Sequence, residues 1–121
     1  MNYVIITFKE TLFVVEADSP SMYIIGYFLA DDVSTHGREG WVKWLFDSNR
    51  TSISSNHTFM TKENNCVDVA DLFDEDPYER ALTVPIPVMI DLLEQWDAVC
   101  KTHPSEIMVK YVDGKFSVEG R

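Results

Sequence analysis

Residues 63–79 contain no lysine and no arginine, yet they hold seven carboxylates: Glu63, Asp68, Asp71, Asp74, Glu75, Asp76 and Glu79. Anions without a counter-charge repel one another, and that repulsion weighs against any compact fold unless a cationic partner relieves it. The whole chain shares the bias, with 10 Lys and Arg against 20 Asp and Glu in 121 residues and a net charge of −10. Such a field repels nucleic-acid phosphates and anionic membrane surfaces, which argues against direct contact with either. It attracts cationic proteins and speeds encounter with them.

Cysteine is scarce too. Cys66 and Cys100 lie far apart and form no CxxC pair, so structural thiols in a reducing compartment are the expectation. No apolar run reaches the ~18 residues of a membrane span. The opening MNYVIITFKETLFVVEAD is interrupted by Lys9, Glu10 and Glu16, and it has neither the basic leader nor the small-residue cleavage site of a signal peptide. A cytoplasmic protein is expected, and the sequons at Asn49 and Asn56 then carry no weight.

The usual catalytic signatures are missing as well. No GxSxG and no Walker A occurs, and the one close glycine pair, Gly37 and Gly40, lacks the spacing of a phosphate cradle. His36, His57 and His103 stand apart in the chain and make no HxH, HExxH or Cys/His pattern, so neither metal nor cofactor is expected. Asp74, Glu75 and Asp76 lack the alternating ligands, central glycine and terminal glutamate of an EF-hand. Neither cysteine has a sequence neighbour that would activate it as a nucleophile.

What is present suits one folded unit. A chain of 121 residues, 45% hydrophobic and 12% aromatic, can bury a core without staples, and residues 1–121 read as a single domain. Residues 3–8 and 12–16 are rich in β-branched and aromatic side chains and predict a hairpin. Residues 22–29, MYIIGYFL, predict a buried strand with Gly26 easing a bend. Residues 31–40 are polar and read as a flexible connection. The next segment, GWVKWLF, reads as a short helix or a strand; a helix, which would put Trp41, Trp44, Leu45 and Ser48 on one face, is favoured. Residues 51–54, 58–61 and 66–72 are shorter strand candidates.

The plainest helix spans about residues 87–102. Met89, Leu92, Leu93, Trp96, Val99 and Cys100 recur at the helical period. Pro87 suits the first turn, Lys101 and His103 suit the negative end of the dipole, and Pro104 ends the helix. Asp91, Glu94, Gln95 and Ala98 form its outer face. A closing hairpin follows, with Asp113-Gly114 as a type I′ turn signal. The predicted fold is α+β: an antiparallel sheet, one long amphipathic helix packed on it, and a C-terminal β-hairpin.

Trp96 falls on the buried stripe of that helix. Trp41 and Trp44, beside a polar segment, are either core side chains or interface anchors, a role in which tryptophan is enriched.

The late layout consists of the acidic VDVADLFDEDP, a proline-containing linker, a helix carrying IDLLEQWDAVCK, and a hairpin PSEIMVKYVDGKFSVE. In pattern and order it resembles small cytoplasmic immunity proteins of bacterial polymorphic toxins, including those of contact-dependent growth inhibition systems. The resemblance covers the last half of the chain, supported by GWVKWLF, and implies a non-enzymatic inhibitor of a cognate effector's C-terminal toxin domain, often a nuclease. Such toxins carry basic surfaces to hold phosphates. Charge clustering then makes Asp68, Asp71, Asp74, Glu75, Asp76 and Glu79 the candidate partner-binding residues, with Trp41 and Trp44 as candidate anchors. Two rivals remain open. One is an acidic nucleic-acid mimic that blocks a DNA- or RNA-binding protein; the other is a small hydrolase built on Asp and His, for which His57 or His36 must lie beside a buried carboxylate in a pocket.

Overall fold

The computed structural model describes residues 2–73 and 81–121, with backbone alone at 35 and 36. Two β-hairpins supply one sheet. β1 (Asn2–Lys9) pairs antiparallel with β2 (Leu12–Ala17), and the last two strands, β7 (Glu106–Val112) and β8 (Lys115–Gly120), complete the order β2-β1-β7-β8. Asp113 and Gly114 both take positive φ, 52° and 76°, as the type I′ turn requires.

A second antiparallel sheet has the order β3-β4-β5-β6, formed by β3 (Ser52–Ser54), β4 (Thr58–Glu63), β5 (Cys66–Asp71) and β6 (Leu82–Pro85). The α+β class, the long late helix and the terminal hairpin are as the sequence predicts. The division into two sheets and the strand β6 are not.

Among the described residues three α-helices lie among the sheets: α1 (Pro20–Tyr27), α2 (Val33–Phe46) and α3 (Ile86–Cys100). α1 packs on β1 and β2 and reaches β5, while α3 packs on β8 and reaches β5 and β6, so both tie the sheets together. The strand expected over residues 22–29 is therefore a helix. Ser19 caps it, its side chain accepting the Met22 N–H at 3.3 Å, and Pro20 opens it. Such a start is favoured because the cap oxygen satisfies a donor that the helix itself leaves free. Met22, Ile24, Ile25 and Gly26 are buried, and a helix covered on several sides shows no amphipathic period. Gly26 permits the contact: a Cβ there would lie 2.7 Å from methyl groups of both Val4 and Val15.

A single π-helical turn, Phe28–Asp32, continues α1 into α2. The polar stretch 31–40 is thus largely helical, broken at Gly37, whose φ of 73° and ψ of 158° suit a residue without Cβ. One hydrophobic cluster runs through both sheets and all three helices, from Val4 and Ile6 through Phe28, Trp41, Val67 and Leu92 to Ile107. Gln95, expected on the outer face of α3, instead turns to the edge strand β8. Its Nε2 donates to the Phe116 carbonyl at 2.9 Å and its Oε1 accepts the Val118 N–H at 3.0 Å. Among the described residues no helix is long and apolar enough to cross a membrane.

Candidate functional site: an aromatic groove with acidic rims

The end of β2, the N-terminal half of α1 and the end of β5 converge on one open groove. It consists of two adjoining cavities of about 360 and 170 Å³, which share Tyr23, Ile24 and Asp71. The larger is bounded by Asp18, Ser19 and Pro20; the smaller extends to Tyr27, His57 and Phe73. Tyr23 and Tyr27 are four residues apart on α1, so their rings stand on one helical face, with centroids 5.2 Å apart. The row continues from Tyr27 to Phe13 at 5.7 Å on one side and to His57 at 4.8 Å on the other. Tyr23 is 43% exposed and Phe73 75% exposed, so aromatic surface faces solvent here.

Two carboxylates flank the groove, each held by one oxygen. Asp18 Oδ1 accepts the Tyr3 N–H at 2.8 Å, and Asp71 Oδ1 accepts the Phe73 N–H at 2.9 Å. Among the described residues neither carboxylate takes part in a salt bridge. No lysine or arginine is found among the described residues lining either cavity. Hydrogen bonding with Tyr23, together with burial, pushes the Tyr27 phenol above its ordinary pKa, which keeps its hydroxyl protonated.

His57 is fixed from below. Its Nε2 lies 2.8 Å from Asp31 Oδ2, while its backbone N–H and that of Thr58 donate to Asp32, at 3.1 and 3.0 Å to Oδ2. The Thr58 hydroxyl adds a third donor to the same oxygen at 2.7 Å. Asp32 is fully buried, and burial pushes its carboxyl above the usual range against the pull of these donors. The π-helical turn delivers the two neighbouring aspartates to this place, and Trp41 Nε1 reinforces it by donating to the Asp32 carbonyl at 3.0 Å. Potential ligand atoms of Asp31, Asp32 and His57 all lie within 4.8 Å of one another, a donor set that a divalent metal accepts. Both Asp32 oxygens already receive N–H donors, so the trio acts first as the anchor of the turn between β3 and β4. Sequence patterns could not show it, because residues 31, 32 and 57 meet only through the fold.

The candidate residues drawn from charge are divided. Asp68 and Asp71 are an odd number of positions apart on β5, so strand alternation points them to opposite faces. Asp68 accepts a hydrogen bond from the Thr83 hydroxyl across the β5–β6 pair; of the two, it is Asp71 that lines the groove. Asp74, Glu75, Asp76 and Glu79 lie outside the described residues.

Trp41 and Trp44 are not surface anchors, which corrects their place in the candidate set. They are 1% and 2% exposed. Trp41 meets Phe28 edge-on at 5.0 Å and Trp44 at 6.4 Å. The Lys62 ammonium sits 4.5 Å over the Trp44 ring and donates to the Trp44 and Asp47 carbonyls at the end of α2, where helix carbonyls lack partners. Phe46, at the end of α2, is exposed but lies away from the groove; the exposed aromatic residues that line the groove, Tyr23 and Phe73, were hidden in the sequence, one within an apolar run and the other within the acidic stretch.

Comparison of the chain with protein-family models, with curated proteins and with solved structures finds no match.

Proposed function

We propose that this protein is a non-enzymatic inhibitor that binds a basic toxin domain of a cognate effector in the bacterial cytoplasm and covers its active site or substrate surface. One observation carries the reading: exposed Tyr23 and Phe73 line two adjoining cavities whose walls also carry Asp18 and Asp71, with no described lysine or arginine in the lining. Aromatic side chains that can be desolvated supply binding energy, and complementary charge supplies fast, salt-sensitive association. The net charge of −10 acts in the same direction. A nucleic-acid mimic is less well supported, because Asp68 and Asp71 are not arrayed along one face as phosphates are.

The His57–Asp31 pair favours one second reading, a small hydrolase. It has weaker support, since Thr58 and Asp32 are both fully buried, out of reach of a substrate, and both Asp32 oxygens are already taken up by N–H and O–H donors of the β3–β4 turn. Co-expression with the toxin domain encoded beside this gene tests the proposal. Stable co-purification and protected growth support it. Growth arrest despite soluble expression of both proteins contradicts it. Protection retained in Asp31→Asn, which removes the carboxylate that would orient His57 for catalysis, and lost in Asp71→Lys separates binding from catalysis.

A further inference from the structure

We infer that the groove recognises an arginine side chain presented by a protein partner, its guanidinium stacked on Tyr23 and bonded to Asp71. The inference rests on the inhibitor reading and narrows it to one kind of contact.

The rim already specifies a cation. Asp18 and Asp71 belong to the same cavity wall, and each is oriented by a backbone N–H on Oδ1. Their orientation is set before a partner arrives, which lowers the entropic cost of binding. Among the described residues no internal cation competes for them. A positive group that enters this cavity meets negative charge from both carboxylates.

The floor narrows the choice to a flat cation. Tyr23 and Tyr27 offer tilted rings with centroids 5.2 Å apart, and His57 extends the row by another 4.8 Å. A guanidinium stacks on aromatic faces while its edge donates two parallel hydrogen bonds to a carboxylate; a lysine ammonium is a strongly hydrated point charge that does neither as well. Phe73, beside Asp71, is 75% exposed, and a docked side chain would remove part of that apolar surface from water. Because the two cavities share Tyr23, Ile24 and Asp71, a chain segment laid across the groove meets both.

The test uses the full chain and two acetylated, amidated hexapeptides. One carries two central arginines among glycines, the other two lysines in their place. Backbone NMR titration is expected to move the amides of Asp18, Tyr23, His57 and Asp71, with the arginine peptide binding at least about fivefold more tightly than the lysine peptide. Asp71→Asn is expected to weaken arginine-peptide binding by about fivefold or more, as expected for losing a charged hydrogen-bond partner. Glu119→Gln removes the same charge from the exposed β8 and is expected to leave binding unchanged. Tyr23→Leu keeps an apolar side chain but no π face, so a loss there reports stacking, and the unperturbed spectrum of the remaining core reports folding. Equal affinity for both peptides, equal effects of Asp71→Asn and Glu119→Gln, or shifts explained by self-association of the chain would each overturn the inference. Peptide binding at the groove without any toxin binding would leave this inference standing while ending the inhibitor reading.

Discussion

Asp32 and Thr58 are 26 residues apart, yet the hydroxyl and the backbone N–H of Thr58 end on one oxygen of Asp32, at 2.7 and 3.0 Å. This contact holds the β3–β4 turn, and with it His57, against the π-helical end of α1. Asp32→Ala leaves those donors buried without an acceptor and is expected to cost about 3 kcal/mol, as for losing hydrogen bonds to a charged group. Asp32→Asn keeps the shape and is expected to cost less, measured by denaturant unfolding.

The pH dependence of that cost has a definite sign. Burial raises the Asp32 pKa above its ordinary value of 3.8, so the native protein binds this proton more tightly than the unfolded chain does. The contribution to stability is greatest below 3.8 and is lost as pH rises through the higher folded value. The deficit of Asp32→Asn relative to wild type is therefore expected to be larger at pH 3 than at pH 7. A deficit that shrinks on acidification contradicts the assignment.

Gly26→Ala sets helix propensity against packing. The new methyl gains up to about 1 kcal/mol as a helix former, but it lies 2.7 Å from Val4 and Val15 methyl groups. Overpacking costs about 1–3 kcal/mol, so a net loss of stability is expected. A neutral or stabilising result in thermal unfolding would mean that α1 does not approach the sheet this closely.

Gln95→Ala removes the amide that serves both Phe116 and Val118 on the sheet edge. An open edge invites pairing with another chain. A loss of about 1 kcal/mol is expected, together with faster amide exchange at Val118 and a greater tendency to self-associate at high concentration.

Cys66 and Cys100 are both free. Burial, with Asp97 nearby, pushes the Cys100 thiol up to about 11, so roughly one thousandth of it is thiolate at pH 8. Iodoacetamide at pH 8 is expected to modify Cys100 far more slowly than free cysteine, with the rate still climbing towards pH 11. Peptide mass spectrometry reads the outcome, and rapid modification at neutral pH would contradict it.

Hairpins and the late helix are legible in the sequence because period and punctuation agree. Met89, Leu92, Leu93 and Trp96 repeat at the helical spacing and are buried, and Asp113-Gly114 makes its turn. α1 is not legible in this way. Wedged between one sheet and β5, it is apolar on several sides, so the only helical sign is Ser19-Pro20 at its start. The strand β6 is four residues long and ends in proline, too short for alternation to declare itself. Much of the groove escapes because it is tertiary: Asp18, Tyr23, His57 and Asp71 come from four segments. Asp71 stood out in sequence only for its charge, and Asp68 with it, although strand alternation turns the two apart.

Hydrogen–deuterium exchange on the complex with the basic toxin domain proposed as partner tests the central claim most directly. Protection is expected at residues 18–27, around residue 57 and at residues 71–73, and it should fall away in Asp71→Lys. Protection confined to the outer face of α3 or to β8, with the groove exchanging as in the free protein, would contradict the claim that this acidic, aromatic groove is where the protein meets its partner.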